Sequence, residues 1–138
     1  MKSKLLVLLI LIGLSGQAQH LIGYKTSEII EYFASQDDKK PSEKEPNYGK
    51  TSSEIPYIFF ITSLGSLTYY ISTEDKCFLY VSTYNDYKNL NYVVELMNKN
   101  FIEMGENKWM HYDKSGTYDL TLMREDEFFS VVWSTHKL

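Results

Sequence analysis

The stretch Tyr57–Thr83, YIFFITSLGSLTYYISTEDKCFLYVST, decides the reading of the fold. Three runs within it, Tyr57–Thr62, Leu67–Ser72 and Lys76–Thr83, are rich in Tyr, Phe, Ile, Val and Thr. Such side chains suit a pleated, half-buried surface, so the runs read as strands. Their connectors, Ser63–Ser66 and Thr73–Asp75, are too short for a parallel crossover and long enough for hairpins. The sheet is therefore expected to be antiparallel.

Downstream the period changes. Asn85-Asp86 reads as a helix cap, and Leu90, Val93, Val94, Met97 and Phe101 recur at helical spacing as far as Asn98-Lys99-Asn100. Four more short strands follow, at Phe101–Met104, Lys108–Tyr112, Thr117–Arg124 and Phe128–Thr135. Upstream, Thr26-Ser27-Glu28 reads as a helix start, with Ile29, Ile30 and Phe33 on one apolar face of a helix ending near Ser35. Between this helix and the first strand, residues 36–54 hold Pro41, Pro46 and four lysines among acids and serines. Such a segment has little to bury and is expected to be a mobile polar loop.

The N-terminus has its own grammar. Lys2 and Lys4 precede an apolar run from Leu5 to Leu14, and Gly16 and Ala18 supply small residues before Gln19. Basic start, short apolar core and small residues at −3 and −1 are the parts of a cleavable signal peptide over residues 1–18. The run is far shorter than the roughly 20 residues needed to cross a bilayer. A lipid anchor would need a cysteine just after the run, and Cys77 is the only cysteine. The expected product is one domain, residues 19–138, exported to the periplasm or beyond and without a membrane anchor. Without Lys2 and Lys4 the 14 basic residues fall to 12 against 18 acidic ones, a formal charge of −6. With Arg124 as the one arginine, that balance excludes nucleic acid as a partner.

The expected fold class is α+β: two helices packed on one face of an antiparallel sheet, in helix-strands-helix-strands order. Tyr24-Lys25 before the first helix is echoed by Tyr87-Lys88 before the second, which suggests an αββ pseudo-repeat. The leader, the entry Gly23–Ile30, the strand Lys76–Val81 and the strand Lys108–Tyr112 resemble small exported bacterial proteins of unknown function. The layout is similar to the αββ modules of β-lactamase-inhibitory proteins and of the small lipoprotein in the outer-membrane barrel-assembly machinery. That similarity implies a protein-binding scaffold and transfers no functional residue.

Motifs for chemistry are few. A catalytic Cys77 would need a base to lower its pKa, with His111 or, less suitably, His20 or His136 as partner. Cys77 alternates with Leu79 and Val81, however, as a buried small apolar residue would. The three histidines lack metal-site spacing. Asp113–Asp119 places oxygens at alternate positions of a calcium loop, but its glycine falls at position 4 and Arg124 at position 12, so a hairpin turn explains it better. Glu125, Asp126 and Glu127 offer paired carboxylates on a hairpin tip. No metal or cofactor is expected.

Twelve tyrosines, seven phenylalanines and two tryptophans are the unusual property. Tyr118, Leu120, Leu122 and Phe129, Val131, Trp133 alternate as inward faces. Tyr70, Tyr80, Tyr84 and Tyr112 are then left for an outer sheet face, a surface suited to binding another envelope or extracellular protein. A non-enzymatic binding or scaffold module is the expected function, with a small hydrolase using Cys77 or an acidic pair as the alternative.

Overall fold

The structure is a computed structural model that describes residues 20–137, so the expected signal peptide lies outside the described residues. Its elements are helix α1 (Thr26–Ala34), a helical turn α2 (Pro41–Lys44), strands β1 (Asn47–Lys50), β2 (Pro56–Ile61), β3 (Gly65–Ile71) and β4 (Cys77–Tyr84), then a 3-10 turn (Tyr87–Asn89) running into α3 (Leu90–Asn100). Strands β5 (Ile102–Gly105), β6 (Lys108–Asp113), β7 (Gly116–Arg124) and β8 (Phe129–Thr135) follow. All eight strands form one antiparallel sheet in the order β1-β2-β3-β4-β8-β7-β6-β5. Each half of the chain is a four-stranded meander. The meanders meet through their last strands, with Leu79–Tyr84 paired to Phe129–Ser134.

This corrects the expected α+β arrangement of two helices packed on a sheet. The fold is dominated by the eight-stranded sheet, with one 14-residue helical run over residues 87–100 and a short helix beside it. Two features escaped the sequence reading. An eighth strand, β1, and the turn α2 lie inside residues 36–54, which read only as polar loop. The repeated unit is also a four-stranded meander, so αββ is the wrong module, and β4–β8 pairing fuses both meanders into one sheet.

The helices plug the sheet locally. Phe33 of α1 stacks on Phe60 of β2 with ring centroids 3.8 Å apart, and Ile29 is buried beside it. From there an aromatic chain runs Phe60–Tyr69–Tyr80–Trp133, with centroid separations of 6.2, 4.9 and 6.2 Å, crossing the β4–β8 seam. Over the second meander, Val93, Leu96 and Met97 of α3 are buried, and Trp109 Nε1 donates to Asn98 Oδ1 at 2.8 Å. The caps differ in kind. Asp86 accepts from the backbone N–H of Lys88, as its sequence position suggests. At α1 the Glu28 carboxylate accepts from the Lys25 N–H, while the Thr26 hydroxyl donates to Asp75 across the β3–β4 turn at 2.6 Å. Gly65 lets β3 approach β4 closely: a Cβ there would stand 1.8 Å from the carbonyl oxygen of Thr83.

Candidate functional site

Strand parity decides which side chains can meet a partner. Along β3, Leu67, Tyr69 and Ile71 point to the covered face and Ser66, Thr68 and Tyr70 to the open one. On β4 the register shifts by one residue: Tyr70 faces Leu79, whereas Ile71 faces Cys77, which leaves Phe78 as a bulge. A one-residue bulge reverses the faces of the residues on either side of it. Cys77 is therefore buried as expected, but Leu79 and Val81 turn to the open face while Tyr80, Ser82 and Tyr84 turn into the core.

Of the four tyrosines assigned to an outer surface, Tyr80 and Tyr84 thus belong to the core, at 0% and 6% exposure. Tyr70 and Tyr112 are on the open face, but on β3 and β6, four strands apart. At about 4.8 Å per strand they are roughly 19 Å from each other, so they do not form one cluster. Tyr70 instead meets Tyr57 of β2, with centroids 5.5 Å apart, and Tyr57 meets Phe59 at 6.1 Å. Burial and the neighbouring Tyr57 push the Tyr70 phenol above its usual pKa. Tyr57 can lie across the edge strand because residue 49 is glycine, where a Cβ would come within 2.5 Å of the ring. Sequence alternation could have found Tyr57 and Phe59, since both sit two residues apart in the run that opens the sheet.

The register extends this cluster into rows across the sheet. One row is Tyr57, Tyr70, Leu79, Ser134 and Asp119; the next is Phe59, Thr68, Val81, Val132, Thr121 and Lys108; a third is Ile61, Ser66, Thr83, Ser130 and Met123. From β2 to β8 these rows hold aromatics, aliphatics and hydroxyls and no formal charge. Charge enters only on β6 and β7 and just beyond β8, with Lys108 and an Asp119–His136 pair at 2.8 Å. Among the described residues, the helices pack on the opposite face.

Residues with possible chemistry are held elsewhere. The Cys77 thiol donates to the carbonyl of Leu79 at 3.4 Å, and burial pushes its pKa to about 12, so thiolate is scarce at neutral pH. His111 has Asp113, not Cys77, as its partner. Glu125, Asp126 and Glu127 are exposed around the β7–β8 turn. The Asp113–Asp119 segment forms the β6–β7 hairpin, with Asp113 accepting from the Ser115 N–H at 2.7 Å.

One arrangement had no sequence signal. His20, from the segment before α1, reaches Asp113 Oδ2 with its Nε2 at 3.0 Å, and His111 Nε2 is 3.3 Å from the same oxygen. Burial lowers the His20 pKa, opposed by the hydrogen bond and charge of Asp113. Burial alone would raise Asp113, but bonds from Ser115 and His20 bring it down to about 2. His20 and Asp113 are 93 residues apart, so only the fold joins them.

A cavity of about 560 Å³ opens beside the edge strand, bounded by Tyr48, Lys50, Ile58, Ile71 and the Thr26–Asp75 pair. No helix among the described residues is long and apolar enough to cross a membrane. Nor are three His, Cys, Asp or Glu side chains among them disposed to hold a metal ion. The fold defines a doubled-meander antiparallel sheet whose one face, among the described residues, carries no helix. Comparison with family models, with curated proteins and with solved structures returns no match.

Proposed function

We propose that the chain is an exported binding module that engages another envelope or extracellular protein through the open face of its sheet. The observation that carries this reading is the uncharged set of rows from β2 to β8, led by the Tyr57–Tyr70–Phe59 cluster. Interface centres are depleted in charge and enriched in aromatic side chains with a polar tip, which describes this patch. Export rests on the expected signal peptide, whose cut before Gln19 would keep His20 and Leu21, buried at 2% and 0% exposure, in the mature chain. A leader that ended later would be cut inside the core.

The test is site-specific photocrosslinking in the native cell. A photoreactive phenylalanine replacing Tyr70 or Tyr57 should give one discrete protein adduct, and the same group replacing exposed Tyr24 or Phe128 should not. Equal adducts from all positions, or none from the open face, would refute the reading. The mass of the accumulated protein checks the export half, which requires a chain starting at Gln19.

A further inference from the structure

We propose that the β1 edge of the sheet binds an extended peptide segment, which adds antiparallel to β1 and seats an apolar side chain in the cavity beside it. Strand β1 ends the sheet, so among the described residues no strand lies beyond it. The bond from Thr51 N–H to Ile55 O at 2.9 Å makes those two a hydrogen-bonded pair across the β1–β2 turn. Alternation then makes Gly49–Tyr57 and Asn47–Phe59 hydrogen-bonded pairs, and Tyr48–Ile58 and Lys50–Pro56 non-hydrogen-bonded ones. Pro56 has no N–H to give, which agrees with its place in that series. In a non-hydrogen-bonded pair the N–H and C=O groups point away from the partner strand. Tyr48 and Lys50 therefore present theirs outward, along the edge.

The same parity ties the edge to the cavity. Tyr48 lies opposite Ile58 and Ile58 opposite Tyr69, so the three share the helix-covered face, as does Ile71 two residues beyond Tyr69. The cavity of about 560 Å³ lies on this side, between β1 and the Thr26–Asp75 contact at the start of α1, with Ile58 and Ile71 as its apolar floor. Tyr48 does not close it, being 67% exposed. An antiparallel added strand would hydrogen-bond through the residues directly opposite Tyr48 and Lys50. Directly opposite residues share a face, so those same guest residues aim their side chains to the cavity side. Backbone pairing and the apolar pocket thus select the same two guest positions, as in other cases of strand addition.

Each position has its own chemistry. Opposite Tyr48, a long apolar side chain such as Phe, Leu or Met reaches past the ring toward Ile58 and Ile71. The cavity volume falls in the range of ligand pockets, roughly 300–1,000 Å³. Opposite Lys50, an acidic side chain gains a cross-strand cation. The Lys50 ammonium stands 3.7 Å from Glu54 with both groups exposed, a contact too weak to hold it there. Running antiparallel, the guest reads acid-x-apolar from its N-terminal end. Pro46 before β1 and the Thr51–Glu54 turn after it confine the edge to Asn47–Lys50, which suits a short segment and blocks a long strand from another sheet. This site lies across the sheet from the Tyr57–Tyr70–Phe59 cluster and does not depend on it.

The experiment is an NMR titration of the purified protein, in the form the cell accumulates, with the capped peptide Thr-Glu-Val-Phe-Thr up to concentrations on the order of 1 mM. The amides of Tyr48 and Lys50 and the methyls of Ile58 and Ile71 should shift together, while the methyls of Val81 and Val132 on the open face stay put. N-methylation of the peptide's Phe removes the N–H aimed at the Tyr48 carbonyl and should abolish the shifts. N-methylation of its Val, whose N–H points away from β1, should leave them. Ala in place of the peptide's Phe should weaken binding about tenfold or more, and Lys in place of its Glu about threefold. The absence of shifts at Tyr48 and Lys50 overturns the proposal, as do equal effects of the two N-methyl groups or equal binding of the Glu and Lys peptides. Shifts confined to Val81 and Val132 overturn it too, and would leave the open face standing as the binding surface.

Discussion

Replacing Phe33 by Ala probes whether the two meanders behave as one folding unit. The Phe33 side chain is 2% exposed and stacked on Phe60. Truncation to Ala removes on the order of 150 Å² of buried apolar area, or about 4 kcal/mol at 25 cal/mol per Å². The stack adds about 1 kcal/mol, and the better helix propensity of Ala returns about 0.5 kcal/mol. The net expectation is a loss of about 4 kcal/mol, within the usual range for a buried Phe→Ala change. The informative point is the reporter. The only tryptophans, Trp109 and Trp133, are both buried in the second meander, whereas Phe33 belongs to the first. If the β4–β8 seam and the aromatic chain through Tyr69, Tyr80 and Trp133 couple the halves, urea melts followed by tryptophan fluorescence and by far-ultraviolet circular dichroism must shift together. A fluorescence midpoint left at its wild-type value, with the dichroism splitting into two steps, would refute the coupling. A double-mutant cycle with Phe60→Ala should return about 0.5–1.5 kcal/mol of interaction between the two rings.

Gly65→Ala should cost about 3 kcal/mol or more in urea denaturation, because its Cβ would meet the Thr83 carbonyl at 1.8 Å and strand backbone must move. Stability should fall in two acid windows. His20 has a folded pKa below 6.5, so the folded state binds fewer protons; its contribution is full above that value and is lost as the pH drops through it. Asp113, lowered from 3.8 to about 2, contributes above its unfolded value and loses that contribution between the two. Denaturant midpoints from pH 8 to 2 check both, and Asp113→Asn should abolish the lower window. With its pKa at about 12, Cys77 is thiolate in roughly one molecule in 10⁴ at pH 8. A disulfide reagent should therefore react only at the rate of unfolding, and fast labelling of the native protein would contradict the burial.

The sequence carried the secondary structure well where side-chain period was strong. The 90–100 helix, the Asp86 cap and the hairpins on either side of β3 all lie where alternation and turn residues put them. It failed at β1, because Asn47-Tyr48-Gly49-Lys50 has no apolar face of its own and is recruited by antiparallel pairing with Phe59–Pro56. An edge strand of that composition cannot be told from a loop by hydrophobic pattern. It failed also on how the meanders join. Nothing local in β4 or β8 says that they neighbour each other, since antiparallel pairing between strands some fifty residues apart leaves no short-range signal. That one pairing converts two small sheets into one and demotes the helices from a layer to local covers.

The bulge at Phe78 shows why the aromatic surface was only half legible. Counting by twos from Cys77 assumes an unbroken strand, and on that count Tyr80 and Tyr84 face outward. The extra residue opposite Tyr70/Ile71 reverses the count, and so Tyr80 stacks on Tyr69 in the core while Leu79 and Val81 form the floor of the open face. The same reversal explains why the charge-free rows exist: the β4 residues brought to the open face are aliphatic or hydroxyl-bearing, continuous with Val132 and Ser134 on β8. Deleting Phe78 would remove the bulge and join Cys77 directly to Leu79, so that plain alternation from the inward Cys77 puts Leu79 and Val81 outward and Tyr80 and Tyr84 inward, as in the native sheet. Both the Tyr69–Tyr80 and Tyr84–Phe129 stacks should then survive, and the variant should keep most of the wild-type stability in urea denaturation. A deletion variant destabilised like a core truncation, by about 3 kcal/mol or more, would mean that the face assignment of β4, and with it the binding surface, is wrong.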